Sequence, residues 1–240
     1  TGASGFIGPH LVKHLVERGD EVTCLVRKTS DLSRLTPLNP RFVHGDVMDP
    51  AGLEEAISSC DPPCEVVYHL AGLTKSIPAE KMWRVNEMGV RNIARACADR
   101  AVAPTLIVLS SLAAAGPSPA DRPLTESDPV QPVSKYGESK LKGEQAAREF
   151  SDVVPISIVR SPIVFGQGDL DGLPLFSGIA RARLHGFPKF RRHRYSFIHA
   201  ADLGKAMSLV ASKGERLSSD QDDRGVYFVA AEKNPTFAEY

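Results

Sequence analysis

Three glycines at three-residue intervals, Gly2, Gly5 and Gly8, open the chain as Thr1-Gly2-Ala3-Ser4-Gly5-Phe6-Ile7-Gly8 and run straight into a helical pattern. No other stretch limits the possible folds as much. The first glycine permits a tight turn, and the second lets backbone approach a pyrophosphate with no Cβ in the way. The third lets the helix pack closely on a sheet. The free N–H groups and positive dipole end of that helix then face the phosphates. A glycine-rich turn alone is a weak sign, so the weight falls on the downstream segments. The strand that should carry this turn is expected ahead of Thr1. Pro235 to Tyr240 reads as the start of a further helix, so the chain is expected to be a piece trimmed at both ends.

Strand-like and helix-like segments alternate after the turn, the pattern of a parallel sheet covered by helices. A helix is expected over Ile7–Arg18, with Leu11, Val12, Leu15 and Val16 at helical spacing and Gly19 ending it. Strands are expected over Glu21–Val26, Arg41–His44, Glu65–Leu70, Pro104–Ser110, Ile156–Arg160 and Val226–Ala230. Helices are expected over Pro50–Ser59, Ala79–Arg100, Ser134–Phe150 and His199–Ala211. Gly116 to Pro132 holds Pro117, Pro119, Pro123, Pro129 and Pro132 and reads as a loop. The fold class is therefore α/β, a Rossmann doubly wound parallel sheet with a small C-terminal substrate-binding cap. Residues 1–160 form the dinucleotide-binding domain. Residues 161–240 are mostly cap, with the helix near 200–212 returning to the sheet. Within the cap, Arg181 to Arg194 reads as a mobile cover, because Gly186, Pro188 and long basic side chains interrupt any apolar period.

The 240 residues are 42% apolar, enough for a full core, and 29 basic residues balance 29 acidic ones. Such a balance argues against nucleic acid or an anionic membrane as a partner. Arg191, Arg192, His193 and Arg194 form a local basic cluster, read as a solvated loop before an anion site. Cys24 and Cys97 sit in apolar runs, while Cys60 and Cys64 flank a Pro-rich turn without metal-site spacing. No metal is expected, and no signal peptide or membrane span is visible. These features point to a reduced, cytoplasmic protein with a small-molecule substrate; a homodimer is allowed.

Tyr136-Gly137-Glu138-Ser139-Lys140 puts a phenol and an ammonium on one helical face, and Ser110-Ser111 ends a strand upstream. In an open α/β sheet, ligands bind at the carboxyl ends of strands, the edge that also carries the glycine turn. A secondary alcohol loses hydride only if its hydroxyl proton leaves too. Tyrosine, near pKa 10, needs help to take that proton, and a nearby ammonium stabilises tyrosinate. A serine hydroxyl can hold the substrate oxygen near the phenol. Asp46, after the third strand of the fold, could accept from an adenine amino group, although an Asx turn is the other reading.

Together these residues resemble the extended short-chain dehydrogenase/reductases, the NAD-dependent epimerase/dehydratase family. The resemblance rests on Gly2/Gly5/Gly8, Gly45-Asp46, His69-Leu70-Ala71-Gly72, Asn86, Ser110-Ser111, Tyr136 with Lys140, Arg160-Ser161-Pro162 leading to Gly166, and Phe197-Ile198-His199 before Asp202. It implies a catalytic set of Ser111, Tyr136 and Lys140. It implies cofactor contacts from Gly2, Gly5, Phe6, Ile7, Gly8, Asp46, Val47, Leu70, Ala71, Gly72, Ser110, Tyr136, Lys140, Pro162 and Ile163. Leu112 and Ala113 stand where dehydratases carry Asp-Glu, and Pro162-Ile163 where sugar-nucleotide epimerases carry Phe-Asn. The arginine that grips the nucleotide in those enzymes falls near Tyr195. These departures favour a ketone/alcohol oxidoreductase near the dihydroflavonol reductase and 3β-hydroxysteroid dehydrogenase branch. A sugar-nucleotide epimerase is the alternative. A dinucleotide sensor without turnover ranks below both, since it has no need of Tyr136 and Lys140.

Cofactor choice turns on the end of the second strand of the fold. NAD-binding chains place an acidic residue there, about twenty residues past the glycines. Here Val26 is followed by Arg27 and Lys28, and the next carboxylate is Asp31. A guanidinium can pair with a 2′-phosphate, so NADP is favoured, with NAD as the alternative.

Overall fold

The computed structural model describes residues 1–119, 122–170, 195–218 and 223–232. The expected mobile cover at 181–194, with its basic cluster, and the expected helix from Pro235 lie outside the described residues.

Apolar runs of alternating face build the sheet. Strand β4 (Thr105–Ser111) and strand β5 (Ile156–Ser161) lie at its centre. Leu106 and Val108 with Ile156 and Ile158 point to one face, and Ile107 and Leu109 with Val159 to the other. All but Leu109 are essentially free of solvent, so the strands are covered on both sides, as a parallel sheet requires. Each such side chain contributes roughly 1.5–3 kcal/mol by leaving water. β3 (Val66–His69), β4, β5 and β8 (Val226–Phe228) form one sheet in that order, all parallel. β1 (Thr23–Val26) and β2 (Arg41–His44) form a second parallel pair.

Helices α1 (Gly8–Glu17) and α6 (Ala200–Lys213) pack together on one face, α6 through Leu203, Met207 and Val210. On the other lie α2 (Pro50–Ser58), α3 (Ala79–Ala98) and α5 (Lys135–Arg148). A four-residue helix α4 (Leu112–Ala115) follows β4, and β6 (Ile163–Phe165) pairs in parallel with β7 (Phe197–His199).

A cleft of about 750 Å³ separates β1 from β3, walled by Cys24 and Leu25 on one side and Val67 and Tyr68 on the other. At its mouth Thr1 pairs with β3 as a parallel strand would, its amino group donating to Tyr68 O (2.8 Å) and its carbonyl accepting from Leu70 N–H (3.1 Å). Chain order reverses across the cleft, β1 and β2 to one side, β3 to β8 to the other, so the glycine turn sits at the switch point of the sheet.

Candidate active site

The glycine turn is built as its spacing implies. Gly2 takes φ +73°, and a Cβ there would lie 2.5 Å from Ala71 N. A Cβ on Gly8 would lie 2.2 Å from Ala3 O. The turn closes through Gly5 N–H donating to Gly2 O (3.0 Å). Ile7 caps α1 without a side-chain hydrogen bond, and no acidic residue occupies the first turn; Pro9 has no N–H and His10 N–H bonds Ile7 O (3.1 Å), so the N–H groups of Ile7 and Gly8 are the ones offered to an anion.

Around this turn the structure gathers the expected cofactor residues at the carboxyl ends of the strands. Leu70, Ala71 and Gly72 follow β3, and a Cβ on Gly72 would be 3.0 Å from Asn86 Oδ1 and 3.7 Å from Lys140 Nζ. Arg27 and Lys28 are exposed directly after β1. Their loop is tied to the glycine turn, because Ser30 Oγ accepts from Arg27 N–H (3.1 Å) and from Ser4 Oγ (3.2 Å). Asp31 is committed to its own turn, accepting from Ser33 N–H at 2.9 Å. Asp46 is exposed and forms an Asx turn with Met48 N–H (2.9 Å), the second of its two sequence readings. Val47 is buried beside Gly89 of α3. Pro162 and Ile163 follow β5, Ile163 half exposed. Ser110 is buried, and its hydroxyl is taken up by Glu144 of α5.

Ser111 and Tyr136 come together from separate elements. Ser111 ends β4 and caps α4, its Oγ accepting from Ala113 N–H (3.2 Å). Burial pushes the Tyr136 phenol above its usual value, and the Ser111 hydrogen bond pulls it partly back. Lys140, one turn along α5, is buried and donates to Leu109 O at 2.7 Å. Asn86 of α3 locks the region, donating to Leu73 O and Ser139 Oγ (each 2.9 Å) and accepting from Leu73 N–H (2.8 Å). His69, wholly buried, shares a 3.0 Å hydrogen bond with Thr1 Oγ1, and burial holds its imidazole well below its usual pKa, hence neutral.

Burial pulls the Lys140 ammonium from 10.5 down to about 8, with the Glu144 carboxylate opposing the fall. Between those two values the unfolded chain binds more protons than the folded one, so stability should rise with pH across that window. Lys140→Met is expected to flatten the rise, as read by urea denaturation at either end of the window. An identical rise in the variant would show that Lys140 is not the group responsible.

Two groupings have no counterpart in the sequence expectations. Arg34 donates to Gln167 O (2.8 Å) and Phe6 O (3.4 Å), linking the glycine turn to the segment after β6, with His10 Nε2 also at Gln167 O (2.9 Å). No local signal announces contacts across more than a hundred residues. The second is the ion pair of Glu144 with Arg160, for which the four-residue step from Lys140 to Glu144 is the available sign.

A family model described as the NAD dependent epimerase/dehydratase family matches residues 1–223. The chain is 35% identical over 212 residues to a ceramide reductase of Caulobacter vibrioides, a match that covers 88% of this chain and 59% of that protein. It is 28% identical over 235 residues to a UDP-glucose 4-epimerase of Streptomyces lividans, covering 89% and 70%. Among solved structures, MoeE5 in complex with UDP-glucose and NAD is 25% identical with a TM-score of 0.77, covering 99% of this chain and 77% of that one. This chain thus spans less than two thirds of the ceramide reductase. Reductase and epimerase names occur side by side, so no single branch is singled out.

Proposed function

The chain belongs to the NAD dependent epimerase/dehydratase family, a family of nicotinamide-dependent enzymes, and we propose that it moves hydride at a carbon bearing a hydroxyl or keto group, with Tyr136 as acid/base. The observation that carries this reading is the grouping of Ser111 at the end of β4 with Tyr136 and buried Lys140 on one face of α5, at the strand edge that also holds the glycine turn.

The residues fit a dinucleotide. Gly2 and Gly8 leave backbone where a side chain would intrude, and the start of α1 leaves N–H groups for a pyrophosphate. When bound, the nicotinamide supplies or accepts the hydride. The chain's own part is to hold and move the proton. Ser111 accepts or donates at the substrate oxygen and fixes it near the phenol. Tyr136 Oη takes the hydroxyl proton as the alcohol is oxidised and returns it as the ketone is reduced. Lys140 places a cation one helical turn away and can reach a ribose hydroxyl. Leu112 and Ala113 bear no acid or base, which argues against water elimination.

For the substrate, a nucleotide sugar is the reading with more support, from the likeness to UDP-glucose 4-epimerase and to MoeE5 with its bound UDP-glucose. Hydride would leave and return to the other face, with no net redox change. Net reduction of a ketone is the second reading, favoured by the 35% identity to ceramide reductase. Incubation with UDP-glucose or UDP-galactose, followed by NMR of the sugar, tests the first; loss of NADPH absorbance with ketones tests the second. A preparation that binds cofactor but performs neither conversion would overturn the proposal.

The phosphorylated cofactor, NADP, is the preferred form in this reading. Arg27 and Lys28 stand free beside the glycine turn, and the carboxylate of Asp31 is held by its own loop. Arg27→Ala is expected to weaken NADPH about 10-fold or more, the loss of a charge-assisted hydrogen bond, and to leave NADH nearly unchanged. Equal weakening of both, or a wild type that prefers NADH, would overturn the phosphate assignment; titration calorimetry reads either.

A further inference from the structure

Tyr136, Lys140 and Glu144 are spaced by four residues, so they share one face of α5. Each engages one of three consecutive residues at the end of β4. Ser111 is the side chain that draws the Tyr136 phenol's pKa down, Lys140 Nζ donates to Leu109 O (2.7 Å), and Glu144 Oε1 accepts from Ser110 Oγ. Glu144 is 2% exposed. Its carboxylate is also clamped by Arg160 of β5, Nε donating to Oε1 (3.0 Å) and Nη2 to Oε2 (2.6 Å). Arg160 in turn lies with its guanidinium 5.6 Å from the Phe228 ring on β8. Ser161 Oγ donates to Ser110 O (3.2 Å), so the next strand holds the same residue from the other side.

A buried ion pair of this kind is weak evidence for stability, because desolvation offsets much of its attraction. Its value lies in geometry. A bidentate guanidinium fixes a carboxylate in plane and direction, and that carboxylate fixes how far α5 can slide along β4. We propose that Glu144 is a positioning residue, held by Arg160, that sets the register of α5 against β4 and thereby where the Tyr136 phenol stands relative to Ser111, the placement on which the acid/base step depends. The inference rests on the function proposed above. The charged and titratable groups facing the brace are Tyr136 and Lys140 on α5, Arg160 on β5 and His69 on β3.

The test reads Tyr136 directly, without turnover. Ultraviolet titration of tyrosinate, with Tyr136→Phe subtracted, isolates one phenol among the five. Ser111→Ala should raise the Tyr136 midpoint, since the hydrogen bond that lowers it is gone. Glu144→Gln should raise it in the same direction, with turnover reduced about 10- to 100-fold, the cost of a misplaced catalytic group. Glu144→Asp should recover part of both. Should Glu144→Gln leave Arg160 unpaired and fail to fold, two variants decide the matter: Glu144→Gln with Arg160→Gln, which removes both charges at similar volume, and Ser110→Ala, which removes one rung. Each should shift the midpoint upward. Folded variants with an unmoved Tyr136 midpoint and wild-type turnover would overturn the brace. That result would leave the acid/base role intact, because only an active Tyr136→Phe removes that.

Discussion

Tyr136→Phe is expected to reduce turnover by about 10³-fold or more, at the upper part of what a positioned general acid–base contributes, while cofactor affinity stays within about threefold, well under the 1.4 kcal/mol of a tenfold change. Only the phenolic oxygen is lost. The ring keeps its place on α5, one turn from Lys140 and beside the Ser111 loop, so the dinucleotide cradle is untouched. The wild-type phenol is pushed up by burial and drawn back by Ser111, which leaves its protonation poised by local contacts. Oxidation requires the phenolate as proton acceptor, so the oxidative rate should climb with pH until that group has titrated; reduction requires the protonated phenol and should fall across the same range. The variant should lose this pH dependence together with the rate. Steady-state rates in both directions, beside calorimetric cofactor titration, check each part. A variant with near wild-type turnover would remove Tyr136 from the chemistry.

Much of this arrangement can be read locally. β2 matches the expected Arg41–His44, and β4 and β5 differ from expectation by one or two residues, because apolar strands between turn residues leave little choice of boundary. The edge that carries function is also legible: Gly2, Leu70, Ser111 and Tyr136 each fall where a parallel sheet puts a strand's carboxyl end or the helix after it. What is lost is what the chain encodes between distant residues. β6 and β7 have three residues each, too short to show a period, and they exist because Ile163 finds Phe197. Phe197–Ile198–His199 reads from sequence as the approach to a helix; His199 does cap that helix, accepting from Ala201 N–H (3.2 Å), yet it ends a strand first. α4 is four residues long and owes its start to Ser111 Oγ. Ser110 is a related case, since its partner lies 34 residues away on α5. Its neighbour Ser111 faces the open edge, and the alternation of a strand turns Ser110 inward to Glu144.

Gly8→Ala carries the second large effect, and comparison with Gly5→Ala separates packing from ligand approach. A Cβ on Gly8 would lie 2.2 Å from Ala3 O and 2.5 Å from Ala3 C, both backbone atoms that no side-chain rotation can move. Relief requires α1 to back away from the turn, by roughly the 1 Å that restores contact distance, at a cost of about 1–3 kcal/mol of overpacking. That retreat carries the uncapped N–H groups of Ile7 and Gly8 away from the pyrophosphate position. Two charge-assisted hydrogen bonds at about 1.5–3 kcal/mol each amount to roughly 100-fold to 10⁴-fold in Kd. A Cβ on Gly5 meets only Gly2 O, at 3.2 Å, a tight contact that a shift of a few tenths of an ångström relieves, so the free protein should lose far less stability there than at Gly8. The same methyl would nonetheless stand where a pyrophosphate approaches backbone. Gly5→Ala should therefore melt near the wild-type Tm and still bind cofactor poorly, whereas Gly8→Ala should lose both. Thermal unfolding of each variant, with and without cofactor, makes the comparison. Wild-type cofactor affinity in Gly5→Ala would mean that the turn does not cradle a phosphate, whatever its packing.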